Sequence, residues 1–98
     1  MERLSAPGII EHTEIDDGST SSGPHYIVTV YDNDHNTMEE VTHILMAATG
    51  CSLPEAEMET WEVHHLGKSV VHHGSKEECT EAAAIIATIG IKVVVTSE

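Results

Sequence analysis

Six polar residues, Asp32-Asn33-Asp34-His35-Asn36-Thr37, stand directly before Met38. Their side chains offer many hydrogen-bond acceptors, and Met38 places one bulky apolar group beside them. Such a pairing suits a ligand with a cationic head and an apolar body. An ammonium carries three donors, so a site for it needs several acceptors around it. A peptide's free α-amine with a large hydrophobic first side chain fits that description. The competing reading of the same residues is turn chemistry, because Asx residues favour turns and helix starts. Met38 would then be the first core position of its helix.

A second polar segment lies some two dozen residues on. Val63-His64-His65-Leu66-Gly67-Lys68 closes one helical pattern and leads into a β-type run. A histidine that accepts from an ammonium must be neutral, with one ring nitrogen free. Otherwise His64 reads as a helix-end residue or a core histidine.

The two segments together resemble the Clp-protease adaptor family (ClpS). That family's pattern is roughly Asn-Asp-Asp/Asn, a spacer, Thr/Asn, a spacer, Met, and later Val-His-x-x-Gly-Lys. The resemblance covers about residues 24–98. It implies that Asp32, Asn33, Asn36 and His64 bind an α-amine. It implies that Met38 is a gate excluding β-branched first residues, and that Val41, Thr60, Val63 and Val93 line a hydrophobic pocket. It further implies capture of N-terminal degron residues (Leu, Phe, Tyr, Trp) and their delivery to a Clp AAA+ ATPase, with Glu77 at a position that contacts the N-terminal domain of that ATPase. Two departures stand out. The leading Asn-Asp has become Asp32-Asn33, which keeps the acceptors but moves the full charge. Thr60 replaces a Met or other apolar residue. The alternative is a small interaction module of the same shape without N-terminal recognition.

These residues must be held by a domain of modest size. Ninety-eight residues allow one core. The formal net charge is −13, with Arg3, Lys68, Lys76 and Lys92 the only Lys and Arg. Such a chain is repelled by phosphate backbones and anionic lipids, so neither nucleic acid nor membrane is an expected partner. No apolar run approaches the ~20 residues of a membrane span. The N-terminus lacks a secretory pattern, so a cytoplasmic protein is expected.

Cys51 and Cys79 are the only cysteines, and their separation makes no zinc site; a disulfide between them stays open. The eight histidines lack metal-ligand spacing. Adjacent His72 and His73 point to opposite faces of a strand. No nucleophile-base pair or phosphate loop is present, so neither an enzyme nor a cofactor is expected.

Residues 1–23 read as a flexible extension, polar and small through 16–23, with Ile9-Ile10 as one apolar spot. In the family such an extension is engaged by the partner ATPase. Residues 24–98 read as strand, helix, helix, strand, helix, strand. Helices are expected over 37–48, 53–66 and 76–89, and strands over 26–31, 69–72 and 91–96. Capping-box spacing pairs Asn36 with Glu39, Ser52 with Glu55 and Ser75 with Glu78. Asn36 reads as the first N-cap. Gly50, Gly67 and Gly90 mark the stops. Met38, Val41, Ile44, Leu45 and Ala48 share one helix face, as do Leu53, Ala56, Thr60 and Val63, and Cys79, Ala82, Ala83, Ile86 and Ile89. The expected fold is α+β, a small, mainly antiparallel three-stranded sheet with three helices on one face.

Overall fold

The structure, a computed structural model, describes residues 25–98 together with Ile15–Asp16. The six expected elements are present in the expected order. They are strand β2 (Tyr26–Tyr31), helices α1 (Met38–Thr49) and α2 (Leu53–Leu66), strand β3 (Lys68–Gly74), helix α3 (Lys76–Ala87) and strand β4 (Val93–Ser97). A two-residue strand, β1 (Ile15–Asp16), precedes them. It pairs parallel to β4 through Ile15↔Val95 and Asp16↔Thr96, giving the strand order β1-β4-β2-β3. Ile9, Ile10 and the expected boundary near residue 23 lie outside the described residues.

Strand β2 is central and antiparallel to both β3 and β4. Its Val28 and Val30 are fully buried, as β-branched residues on a covered pleat should be. The pairing with β3 slips by one residue between Val28 and Thr29, leaving Val71 as the extra residue of a bulge. Tyr31 closes β2. The ammonium groups of Lys92 and Lys68 lie 4.9 Å and 5.8 Å from its ring centre. These cation–π contacts hold the strand end from both neighbours, just before Asp32.

The core is aliphatic and small-residue rich. Leu45 of α1, Val63 of α2, Ile86 of α3 and Val93 and Val95 of β4 are fully buried. Cys79 is buried among them, and burial pushes its thiol pKa up, as expected of an inert core thiol. Cys51 and Cys79 are both free. On α2, Ala56, Thr60 and Val63 are buried, but Leu53 is 47% exposed. It stands in the first turn of the helix, on the groove between α1 and α2. α3 ends at Ala87, two residues earlier than expected, and leaves Ile89 in the turn that Gly90 completes.

All three helices begin with a capping box, but the first is not the expected one. Thr37, not Asn36, is the N-cap, and its partner is Glu40 rather than Glu39. The Thr37 hydroxyl accepts from the Glu40 amide at 3.1 Å, and the Glu40 carboxylate accepts from the Thr37 amide at 3.0 Å. Both spacings fit the motif. The Asn36 oxygen accepts from Asn33 Nδ2, and its Nδ2 donates to the distant Ile89 carbonyl, which leaves the Thr37 hydroxyl to cap. The Thr37 backbone N–H and Asn36 Nδ2, both donating to the Glu40 carboxylate, hold that carboxyl below its ordinary pKa. Ser52–Glu55 and Ser75–Glu78 form as expected.

One carboxyl is out of keeping with its surroundings. Glu59 of α2 has a covered Oε1 with no hydrogen-bond partner. Burial, reinforced by repulsion from Glu55 and Glu62, pushes its pKa up to about 7. A raised folded-state pKa means that the folded protein holds this proton more tightly than the unfolded chain. Stability from this group is therefore full at low pH and is lost as pH rises from about 4.5 to about 7. Because Glu59 is only partly buried, solvent screening reduces the loss to on the order of 1 kcal/mol. Glu59→Gln should raise the melting temperature at pH 8 and leave it unchanged near pH 4.5. Equal shifts at both pH values in thermal melts would show that the carboxyl is not the cause.

Candidate functional site

Asp32 leaves the end of β2 and is tied across to the end of α2. Its backbone N–H donates to the Gly67 carbonyl at 2.9 Å. Gly67 is the C-cap of α2 at φ 93°, a left-handed conformation that glycine adopts without steric cost. That turn brings the last turn of α2 beside the loop before α1. As a result, His64 Nδ1 stands 3.8 Å from Asp32 Oδ1.

At 3.8 Å the two are too far apart for a direct hydrogen bond. Nδ1 is covered from solvent and has no hydrogen-bond partner. A neutral ring with its proton on Nε2 leaves Nδ1 as an acceptor. Once Nδ1 is uncovered, one donor nitrogen can lie about 2.9 Å from both acceptors at this separation. The Asp32 carboxylate supplies a full negative charge at the same point. The pair is therefore suited to an ammonium.

Asn33 and Asn36 join the same loop but spend their amides on holding it. Asn33 Oδ1 accepts from the backbone N–H of His35 at 3.1 Å and of Asn36 at 3.0 Å. Asn33 Nδ2 donates to Asn36 Oδ1 at 2.8 Å. Asn36 Nδ2 donates to the Ile89 carbonyl at 2.9 Å and to Glu40 Oε1 at 3.1 Å. Asn33 Oδ1 has thus used both lone pairs, whereas Asn36 Oδ1 has one left. The two backbone bonds to Asn33 Oδ1 are turn chemistry, and the Ile89 contact anchors the loop to the end of α3.

A groove of about 460 Å³ runs between α1 and α2; Met38, which follows the loop in the chain, lines it, whereas Asp32 and His64 do not. Its walls are Met38, Glu39, Thr42 and His43 on α1 and Leu53, Glu57, Thr60 and Trp61 on α2. Met38 is 40% exposed, so it is a groove residue rather than a core residue. Of the expected pocket positions, Met38 and Thr60 line this groove. Val41, Val63 and Val93 are instead fully buried members of the core. Sequence reasoning passed over Thr42 and Trp61. The signal for Thr42 was its place one turn after Met38. Trp61 follows Leu53 and Glu57 at four-residue steps, which marks one ridge of the helix. Its indole stacks on the His65 ring, with centroids 4.4 Å apart, and this stiffens the wall.

Glu77 is exposed in the first turn of α3. A larger cleft of about 800 Å³, lined by His25, His73, Gly74, Ser75 and Glu98, contains none of the motif residues. Among the described residues, no three His, Cys, Asp or Glu side chains are placed to hold a metal ion. No helix among them is long and apolar enough to cross a membrane.

Comparison with known proteins adds an independent line. Residues 21–92 match the sequence model of the family described as ATP-dependent Clp protease adaptor protein ClpS. A Mycolicibacterium paratuberculosis protein, the ATP-dependent Clp protease adapter protein ClpS, is 33% identical over 76 residues, spanning 78% of this chain and 71% of that protein. The solved structure of Agrobacterium tumefaciens ClpS2 bound to L-phenylalaninamide superposes with a TM-score of 0.71 at 20% identity. The match covers 76% of this chain and 98% of that one.

Proposed function

The chain belongs to the ClpS family of ATP-dependent Clp protease adaptors, and from that membership we propose that it captures N-terminal degron peptides. Asp32 and His64 take the free α-amine. The groove behind Met38 takes a large hydrophobic first side chain (Leu, Phe, Tyr or Trp). Captured proteins pass to the N-terminal domain of a Clp AAA+ ATPase in the cytoplasm, with Glu77 at the docking face and the N-terminal extension engaged by the ATPase. Binding is non-covalent and uses neither a cofactor nor catalysis.

One observation carries this reading. The unpartnered His64 Nδ1 and the Asp32 carboxylate stand 3.8 Å apart, one helical turn along α2 from Thr60 of an apolar-lipped groove. The ligand of the Agrobacterium relative, L-phenylalaninamide, has the matching chemistry, a free amine with an aromatic side chain. One observation favours the other reading, an interaction module of the same fold without N-terminal recognition. Asn33 has already filled its acceptor oxygen with two backbone N–H groups. Titrating a labelled Leu- or Phe-peptide against its N-acetylated twin separates the two readings.

The gate gives a further test. Ile and Val branch next to the backbone and cannot thread a mouth that Met38 narrows. The wild type should prefer a Leu-peptide to an Ile-peptide by at least about tenfold. Met38→Ala should bring the two within roughly threefold while the Leu-peptide still binds. Equal binding of both peptides by the wild type would remove Met38 from the gate.

A further inference from the structure

The exposure of the groove residues changes with depth. Met38, Leu53 and Trp61 are 40–50% exposed and form the rim, whereas Thr42 is 8% and Thr60 1% exposed. The two threonines are the floor. Their hydroxyls, one from each helix, are hydrogen-bonded to each other at 2.9 Å. One of them donates to the other. Beyond that bond the pair still has one O–H and several lone pairs, so it can serve a third polar atom as donor or acceptor.

The floor also lies at a suitable reach. Thr60 precedes His64 by four residues and therefore lies on the same face of α2, one turn away. Thr42 follows Met38 by four residues on α1 in the same way. A first residue whose amine sat at Asp32 and His64 and whose side chain entered the groove at Met38 would meet the two hydroxyls at its floor. The span is one helical turn, about 5.4 Å along the axis, a reach suited to a tyrosine ring and its phenol oxygen.

We propose that the Thr42–Thr60 hydroxyl pair makes this site selective for tyrosine as the first residue, ahead of phenylalanine. This rests on the reading that the site binds N-terminal residues. The phenol donates to one threonine oxygen or accepts the remaining O–H. Phenylalanine places a C–H edge at the same point and leaves that capacity unused. One net neutral hydrogen bond corresponds to a preference of about threefold to tenfold. The groove volume of about 460 Å³ accommodates either ring.

The test uses the full chain and C-terminally labelled peptides differing only in the first residue, read by fluorescence anisotropy. The first residues are Tyr, Phe and para-methylphenylalanine, which keeps the length of tyrosine without its hydroxyl. N-acetyl-Tyr is the fourth peptide. The Tyr-peptide should bind about threefold to tenfold tighter than both the Phe- and para-methylphenylalanine-peptides. Thr60→Val should remove the preference and Thr60→Ser should keep it. Should Thr60→Val fail to fold, the three free-amine peptides on the wild type decide alone. If free-amine peptides bind, the acetylated one does not, and Tyr is no tighter than para-methylphenylalanine, the hydroxyl pair is overturned and N-terminal recognition stands. If the acetylated peptide binds as well as the free one, or no peptide binds, N-terminal recognition is overturned together with it.

Discussion

A peptide beginning with leucine or phenylalanine should bind, and acetylating its amine should abolish that binding. Acetylation removes the positive charge and leaves one amide N–H in place of three ammonium donors. Asp32 Oδ1 and His64 Nδ1 would each lose a charge-assisted bond. Such bonds contribute on the order of 1.5–3 kcal/mol each. Two of them amount to about 3–6 kcal/mol, or roughly 10²- to 10⁴-fold in affinity. The net charge of −13 also draws a cationic peptide at long range, so both titrations need the same ionic strength. That screened attraction is too weak to account for so large a gap. Equal affinity of the two peptides would remove N-terminal recognition and leave the interaction-module reading.

The second large effect should come from Asp32→Ala. With Asn33 Oδ1 filled and Asn36 held by Ile89 and Glu40, Asp32 carries the full charge facing His64. The Asp32 side chain is 35% exposed, so its removal costs one charge-assisted bond, about 1.5–3 kcal/mol. Peptide affinity should therefore fall by about 10-fold to 150-fold. Asp32→Asn keeps an acceptor without the charge and should lose less. The backbone N–H bond to Gly67 survives both changes, so stability should stay within about 0.5 kcal/mol of wild type. Unchanged peptide affinity in Asp32→Ala would show that the carboxylate is not a ligand. A large drop in melting temperature would instead make Asp32 a structural residue of the loop.

Much of this architecture was legible from local pattern. The Ser52–Glu55 and Ser75–Glu78 boxes, Pro54 near the start of α2, and the stops at Gly50 and Gly67 each act within a few residues. The β-branched run of β2 and the 3.6-residue spacing of α1 and α3 act at similar range. Signals of that range depend on side chains already adjacent in the chain, so sequence alone determined element order, fold class and family.

Tertiary structure decided what required distant partners. Asn36 and Thr37 are equally good caps on spacing. Asn36 spends its Oδ1 on Asn33 and its Nδ2 on Glu40 and on the Ile89 carbonyl, 53 residues away, and Thr37 is the cap. Met38, Val41 and Val63 all read as apolar positions. Only the packing of α1 against α2 turns Met38 into a rim residue and sends the two valines to the core. Thr42 and Thr60 are ordinary helix residues until that packing sets their hydroxyls 2.9 Å apart. Likewise, the 3.8 Å gap between Asp32 and His64 depends on the turn at Gly67 and its bond to the loop. A hydrogen-bonding site is a set of positions in space. Residue types can name its members, but only the folded chain sets which acceptors are already filled and which remain for a ligand.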